Sequence, residues 1–130
     1  MTNQMIVQMG KAPAAVGPYA QGVAAAGLVF CAGQLPIDPA SGTVPDEVEA
    51  QTRQSLANLG AVLEAGGASL ASVVKTTVFL KDMGQFAAIN AVYATFFPDS
   101  PPARSTVEIA RLPRDVLVEV EAIALQSAEA

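Results

Sequence analysis

The sequence contains no histidine, no tryptophan and one cysteine, Cys31. The absence of histidine excludes Ser/His and Cys/His catalytic pairs, and a lone cysteine excludes both a cysteine/histidine zinc site and an internal disulfide. Because Cys31 lies within the apolar run 28–32, we expect it to be a small buried thiol rather than a reactive nucleophile. These absences leave arginine and carboxylate side chains as the main candidates for chemistry.

Basic residues are also scarce. Seven Lys and Arg stand against 12 Asp and Glu, which gives a net charge of −5. The seven are scattered along the chain, so we expect no nucleic-acid partner, because binding phosphates requires clustered basic side chains. The N-terminus lacks a basic segment followed by a long apolar core, and the longest weakly polar stretch, 22–33, is too short to span a bilayer. We therefore expect a cytoplasmic protein without a membrane partner.

What the chain has in abundance is apolar side chains. Hydrophobic residues make up 52% of the sequence and charged residues only 15%, over a length that suits one domain, 1–130. Such a composition favours a protein whose apolar surface is partly covered by another copy of the chain. The alternative is an alanine-rich monomer that simply buries its core well.

The hydrophobic patterns predict the order β-β-β, α, β, α, β-β. Strands are expected at 5–9, 23–26, 28–32, 73–80, 105–110 and 116–125, and helices at 44–65 and 82–97. Helices this amphipathic should pack on one face of a mixed or antiparallel sheet, which makes an α+β sandwich. The opposite sheet face is too apolar for water, and self-association is its simplest cover.

Side chains near the predicted helix ends support these boundaries. Asp46 and Glu49 have the spacing of a capping box after Pro45, and Asp82 is placed to cap the second helix. The first helix has one apolar face, formed by Val48, Leu56, Leu59 and Leu63, and the pattern places Asn58 outside this face. The second helix has an apolar stripe of Phe86, Ile89, Tyr93 and Phe96 or Phe97.

The last strand carries two carboxylates where an apolar strand normally has none. Side chains alternate between faces, so Glu119 and Glu121 share a face with Leu117, Ile123 and Leu125, whereas the other face is wholly apolar. Because desolvating a lone carboxylate is costly, it needs a partner or a chemical task, such as general acid or base work at a raised pKa. The alternative is a strand near an edge, from which both carboxylates reach water.

Arg104 is the second candidate, since a planar guanidinium suits bidentate capture of a carboxylate. It could equally form a surface salt bridge or a structural ion pair with Glu119. Tyr19 follows Gly17 and Pro18 in a stiff loop and is a candidate pocket wall or ordinary packing. At Gly33, backbone without a side chain suits close approach to a ligand, but the residue could also be an ordinary turn glycine. Asn90, on the second helix, could face inward or lie at the surface.

Five stretches of the chain, in order, resemble the RidA/YjgF family of reactive enamine/imine deaminases. They are APAAVGPYAQG, CAGQLPIDPASGTVP, VVKTTVFLKDM, FAAINAVYATFF and PPARSTVEIARLPRDVLVEVEAIAL. The resemblance covers nearly the whole chain. It implies a chorismate-mutase-like fold and a homotrimer with pockets at the subunit interfaces, and it implies no metal and no cofactor.

The resemblance also assigns roles to individual residues. The family's carboxylate-binding arginine corresponds to Arg104, and its catalytic glutamate to Glu119 rather than Glu121. Its pocket tyrosine and asparagine match Tyr19 and Asn90. Main-chain groups at Gly33 and Thr106 fall where the family contacts its ligand. Many members have cysteine at the position of Thr106, so thiol-dependent regulation is in doubt here.

The function implied by the resemblance is hydrolysis of 2-imino acids such as 2-iminopropanoate and 2-iminobutanoate to 2-keto acids and ammonia. Three alternatives remain open at this point. The chain could bind small carboxylates as a regulatory module without turnover, or act on another imine such as aminoacrylate or 2-aminomuconate. An RNA-directed activity is disfavoured by the acidic balance and the absence of histidine.

Overall fold

The computed structural model describes residues 4–127. These form six strands and two α-helices, together with three short 3₁₀ helices, in the predicted order. The strands and helices are β1 Met5–Val7, β2 Gly22–Ala25, β3 Leu28–Gln34, α1 Val48–Ala65, β4 Val73–Leu80, α2 Phe86–Phe96, β5 Ala103–Glu108 and β6 Val118–Leu125.

The strands form one mixed sheet in the order β1-β2-β3-β6-β4-β5. β4 and β5 are parallel and are connected by α2, whereas the other neighbouring strands are antiparallel. Ala26 and Gly27 form the two-residue turn between β2 and β3, both with positive φ (54° and 76°), as the sequence predicts for a tight hairpin. The last strand, β6, is inserted between β3 and β4, so β6 lies inside the sheet and not at its edge.

Both helices pack on one face of the sheet, as predicted. The alternation in β6 is confirmed, because Val118, Val120, Ala122 and Ala124 are buried in the core beneath the helices. The predicted stripe of α1 is also buried. Cys31 is a buried thiol on the same side, where desolvation raises its pKa to about 12.

The other face of the sheet, which we call the open face, carries large apolar side chains that one chain leaves partly exposed. Phe30 is 42% exposed, Val107 41% and Leu125 53%. Glu119 and Glu121 lie on this face, because they alternate with the buried residues of β6. Within residues 4–127, no helix is both long and apolar enough to cross a membrane.

Three details of the helices differ from the predictions. The capping box is wrong: α1 begins at Val48, its N-cap is Glu47, and no side chain caps it. Instead, the Gln51 side chain donates to the carbonyl of Pro45 and accepts from the amide of Leu117. Asp82 does act as a cap, but for the short 3₁₀ turn Met83–Gln85 that precedes α2.

The third difference is Asn58, which the helical pattern places outside the apolar face. It is 1% exposed and points into the molecule. Its Nδ2 donates to the carbonyls of Leu35 and Ile37, both at 2.9 Å. An amide is buried here because the loop after β3 has carbonyl groups that no strand satisfies.

Candidate active site

The two carboxylates of β6 open into a groove of about 700 Å³ on the open face, which we call the carboxylate groove. Its lining includes Tyr19, Gly33, Gln34, Arg114, Glu119 and Glu121. The structure thus brings together three of the predicted site residues, Tyr19, Gly33 and Glu119, although they come from a loop and two strands. Tyr19 is half exposed at the rim, and its hydroxyl accepts from the amide of Val16.

Gly33 is required by the position of Glu119. A Cβ atom at residue 33 would overlap the Glu119 carboxylate oxygen and lie 2.8 Å from its Cδ. The register of β3 against β6 shifts between Cys31 and Gln34, so the backbone irregularity falls in the short segment that contains this glycine. The absence of a side chain therefore makes the space in which the carboxylate lies. This is a more specific role than the close backbone approach that the sequence suggested.

The environment of Glu119 favours its neutral form. Partial burial raises the pKa of the Glu119 carboxyl above its ordinary value, and the nearby charge of Glu121 adds to the rise. Glu121, two residues along the same strand face, is exposed. A carboxyl with a raised pKa holds a proton more readily than an ordinary carboxyl, which suits a group that both accepts and returns a proton in general acid–base work.

Buried polar side chains that the sequence pattern does not single out hold the groove walls. Ser55 Oγ donates to the Gln34 carbonyl at 2.7 Å, next to the two bonds from Asn58. The Gln21 side chain accepts from the amide of Met9 and donates to the carbonyl of Pro13, both at 2.7 Å. These residues could have been found in the sequence as polar positions inside otherwise apolar patterns, because such positions indicate buried hydrogen bonds rather than solvent exposure.

Arg104 lies elsewhere, at the edge strand β5, beside a second cavity of about 500 Å³. We call this cavity the helix-side pocket; its lining includes Asn90, Tyr93, Phe97, Pro102 and Arg104. Within residues 4–127 the Arg104 guanidinium makes no hydrogen bond and no ion pair, so its donors are available to a ligand. The ordinary readings of Arg104 as a surface salt bridge or as a partner of Glu119 are therefore wrong for the described chain.

Asn90 shares this pocket. Its Oδ1 is buried and has no hydrogen-bond partner among the described residues, which is unusual for a buried acceptor. Thr106 lies two residues beyond Arg104 on β5, and its Cα partner on β4 is the buried Val78. Arg104, Asn90 and Thr106 thus belong to the helix side of the sheet. Across residues 4–127, no group of three His, Cys, Asp or Glu side chains is placed to hold a metal ion.

Arg104 and Glu119 are on opposite faces of the sheet. Arg104 pairs with Thr76 of β4, which points toward the helices and is fully buried, whereas Glu119 pairs with Phe79, three residues further along β4. An odd spacing on a strand places two side chains on opposite faces. The two predicted catalytic residues therefore do not meet within one chain, and each is the centre of a separate group of site residues.

Comparison with known proteins agrees with the resemblance seen in the sequence. A family model described as Endoribonuclease L-PSP matches residues 9–126. The chain is 52% identical over 118 residues to the 2-iminobutanoate/2-iminopropanoate deaminase of Escherichia coli K12, covering 88% of this chain and 92% of that protein. It is also 52% identical over 125 residues to a RutC family protein of Haemophilus influenzae, covering 93% and 96% of the two chains.

Solved structures show the same fold. The crystal structure of the YjgF gene product from E. coli superposes with a TM-score of 0.91 at 48% identity and covers 95% of this chain and 99% of that one. E. coli TdcF with bound serine gives a TM-score of 0.91 at 45% identity, again over 95% and 99% of the two chains. By sequence and by fold, the chain belongs to the RidA/YjgF family, to which the Endoribonuclease L-PSP model corresponds.

Proposed function

We propose that the protein hydrolyses short 2-imino acids, among them 2-iminopropanoate and 2-iminobutanoate, to 2-keto acids and ammonia. The observation that carries the proposal is the chemistry of the two groups: a guanidinium without a protein acceptor and a half-buried carboxyl with a raised pKa. Relatives that are 52% identical are named for this activity, and a structural relative binds serine, a small amino acid with a carboxylate.

In this proposal Arg104 binds the substrate carboxylate through paired hydrogen bonds, which orients the imine carbon. The Glu119 carboxylate takes a proton from water as the water oxygen forms a bond to that carbon and the C=N π electrons move to nitrogen. Glu119 then returns the proton to the nitrogen of the resulting carbinolamine. Glu119 then carries the hydroxyl proton to the same nitrogen, and the C–N bond breaks as the C=O bond forms, so ammonia and the 2-keto acid leave without any change of oxidation state.

Because Arg104 and Glu119 occupy opposite faces, one chain supplies only half of this site. We propose that the helix-side pocket of one copy meets the carboxylate groove of a neighbouring copy in a homotrimer. The exposed apolar residues Phe30, Val107 and Leu125 on the open face support such an assembly, since they need cover. Asn90 and Thr106 would then belong to the half with Arg104, and Tyr19 and Gly33 to the half with Glu119.

The test uses imines generated in situ by a threonine dehydratase. The rate of 2-keto acid release is measured and compared with the uncatalysed rate. Arg104→Ala should lower kcat/KM by about 100-fold or more, because it removes a charge-assisted anchor. Glu119→Gln should lower it by about 100-fold or more, since proton transfer at this position is lost. Arg53→Ala and Glu64→Gln, at exposed positions on α1, are the matched controls and should retain wild-type activity.

Wild-type activity in either site variant would contradict the proposal. An inactive wild type that binds 2-oxobutanoate would instead favour a non-catalytic carboxylate-binding module. A panel that adds aminoacrylate and 2-aminomuconate would show which imine is hydrolysed fastest. An RNA-cleavage arm is included because of the description of the family model, and we expect no cleavage from a chain with a net charge of −5.

A further inference from the structure

The Arg104 side chain is located by aromatic rings rather than by hydrogen-bond acceptors. Its Cζ lies 4.8 Å from the centre of the Tyr93 ring and 5.5 Å from the centre of the Phe86 ring. Both rings come from α2, seven residues apart, which places them on the same side of that helix. A cation this close to two ring faces is attracted to them electrostatically.

The Tyr93 ring is itself held in place from two directions. Its hydroxyl is 2.7 Å from Thr76 Oγ1, a buried hydrogen bond that joins α2 to β4. Phe97 packs against the ring with a centroid separation of 4.7 Å. Thr76 is also the cross-strand partner of Arg104, so the residue that fixes the ring lies beside the residue that the ring supports.

This arrangement has a consequence for ligand binding. A guanidinium held by an acidic side chain would be neutralised, and a carboxylate ligand would have to compete for its donors. Contact with the ring faces uses none of the N–H groups as hydrogen-bond donors to an acidic side chain, so they remain free for a carboxylate. It also lowers the conformational entropy that Arg104 loses when it binds a ligand.

We propose that Tyr93 is a positioning residue for carboxylate binding. Its ring, together with that of Phe86, holds the Arg104 guanidinium toward the helix-side pocket, and Thr76 fixes the ring. The assignment deepens the proposed function, since it rests on Arg104 as the carboxylate anchor. It does not depend on the identity of the imine or on the role of Glu119.

The experiment measures binding of 2-oxobutanoate, a stable carboxylate, by calorimetry, alongside KM and kcat for the imine. Tyr93→Leu removes the ring and should raise the Kd and the KM by about 3- to 30-fold with kcat nearly unchanged. Tyr93→Phe keeps the ring and should retain most of the affinity. Phe96→Leu, an equivalent change on α2 outside the pocket, is the control and should bind as wild type does.

Two further measurements guard against a simple loss of structure. Phe86→Leu removes the more exposed ring and should give a smaller loss of affinity in a folded protein. The NMR signal of the Arg104 Nε–H group, assigned by its absence in Arg104→Ala, should carry a ring-current shift in wild type and Tyr93→Phe. That shift should be reduced in both leucine variants at positions 86 and 93.

Wild-type affinity and an unchanged Nε–H signal in Tyr93→Leu would overturn the inference. If Tyr93→Leu does not fold, two other results together would overturn the inference. Phe86→Leu would have to show wild-type affinity and an unchanged Nε–H signal, and Tyr93→Phe would have to bind 2-oxobutanoate as weakly as Arg104→Ala. A wild type that binds 2-oxobutanoate in a ring-dependent manner but hydrolyses no imine would contradict the proposed function and support the inference. The two ideas therefore fail on different observations.

Discussion

The carboxylate groove and the helix-side pocket hold their central residues by different means. Glu119 comes from an inner strand, and its position depends on the empty space at Gly33 and on buried polar anchors behind the loop after β3. Arg104 comes from an edge strand, and its position depends on the ring faces of Tyr93 and Phe86. The half that contains Glu119 thus depends on backbone geometry, whereas the half that contains Arg104 depends on contacts with aromatic rings.

Under the proposed function, this comparison explains why each half of the site is incomplete in one chain. The groove offers a carboxyl that can move protons but, apart from the exposed Arg114, no described cation to receive an anionic substrate. Among the described residues, the pocket offers a cation and an Asn90 oxygen without a hydrogen-bond partner, but no carboxyl group. Each half lacks what the other provides, and the predictions below perturb one half at a time.

Among changes that leave both Arg104 and Glu119 in place, the largest effect is expected from Gly33→Ala, which should lower kcat by more than about tenfold because the new Cβ displaces the Glu119 carboxylate. Stability should change little, since the displaced atoms are the end of a flexible side chain. Binding of 2-oxobutanoate at Arg104 should be kept. Gly10→Ala is the control, because a Cβ there meets nothing within 4 Å. Full activity in Gly33→Ala would show that the position of Glu119 is not needed.

A smaller effect is expected from Asn58→Ala, which leaves the carbonyls of Leu35 and Ile37 without their donor. Unfolding in urea should show a loss of about 1–3 kcal/mol. kcat should fall several-fold as the groove wall loosens, while the Arg104 Nε–H signal stays unchanged. Arg53→Ala on the exposed side of α1 serves as the control. A change in the Arg104 Nε–H signal without a change in kcat would contradict this account, because it would mean that Asn58 supports the helix-side pocket rather than the carboxylate groove.

The smallest effect is expected from Glu121→Gln, which removes a charge that helps to raise the pKa of Glu119. Because the ionised form of Glu119 takes the proton from water, activity falls as the pH drops through that pKa. The variant should therefore move the acid limb of the kcat/KM profile to lower pH, with the plateau unchanged. Glu64→Gln should leave the profile in place. A shift to higher pH in Glu121→Gln would contradict the electrostatic coupling.

The same pKa direction predicts how Glu119 affects stability. A carboxyl whose pKa is raised in the folded state favours folding most at pH below its unfolded pKa, and this advantage is lost as the pH rises through the folded value. Ionised Glu119 therefore costs some stability at neutral pH, which is compatible with the acid–base role proposed for it.

Much of the fold could be predicted because it follows from local periodicity. The alternation along β6 and the stripe Leu56, Leu59 and Leu63 on α1 define which faces are buried, and the structure agrees with both. Asn58 could not be assigned in this way, because its burial depends on carbonyls more than 20 residues away in sequence. The sequence pattern does not predict the start of α1 correctly, because the Gln51 side chain, and not that of Asp46, bonds to the backbone before the helix.

Sequence motifs identify the predicted site residues, but they do not reveal that these residues lie on opposite faces of the sheet. Arg104 and Glu119 are 15 positions apart, and only the insertion of β6 between β3 and β4 and the parallel pairing of β5 place them on opposite faces. Strand order of this kind depends on long-range pairing rather than on local pattern. The contact between Tyr93 and Arg104 could not be predicted for a similar reason, since the spacing of Tyr93 fits an ordinary apolar stripe.

The central claim is that Arg104 of one copy and Glu119 of a neighbour complete a single site. It is tested most directly by mixing Arg104→Ala with Glu119→Gln, each nearly inactive alone, after unfolding and joint refolding, with mass spectrometry to verify mixed oligomers. Random mixing pairs one intact Arg104 with one intact Glu119 at about a quarter of the interfaces, so about a quarter of wild-type activity should return. Mixed oligomers that remain as inactive as the separate variants would contradict the account.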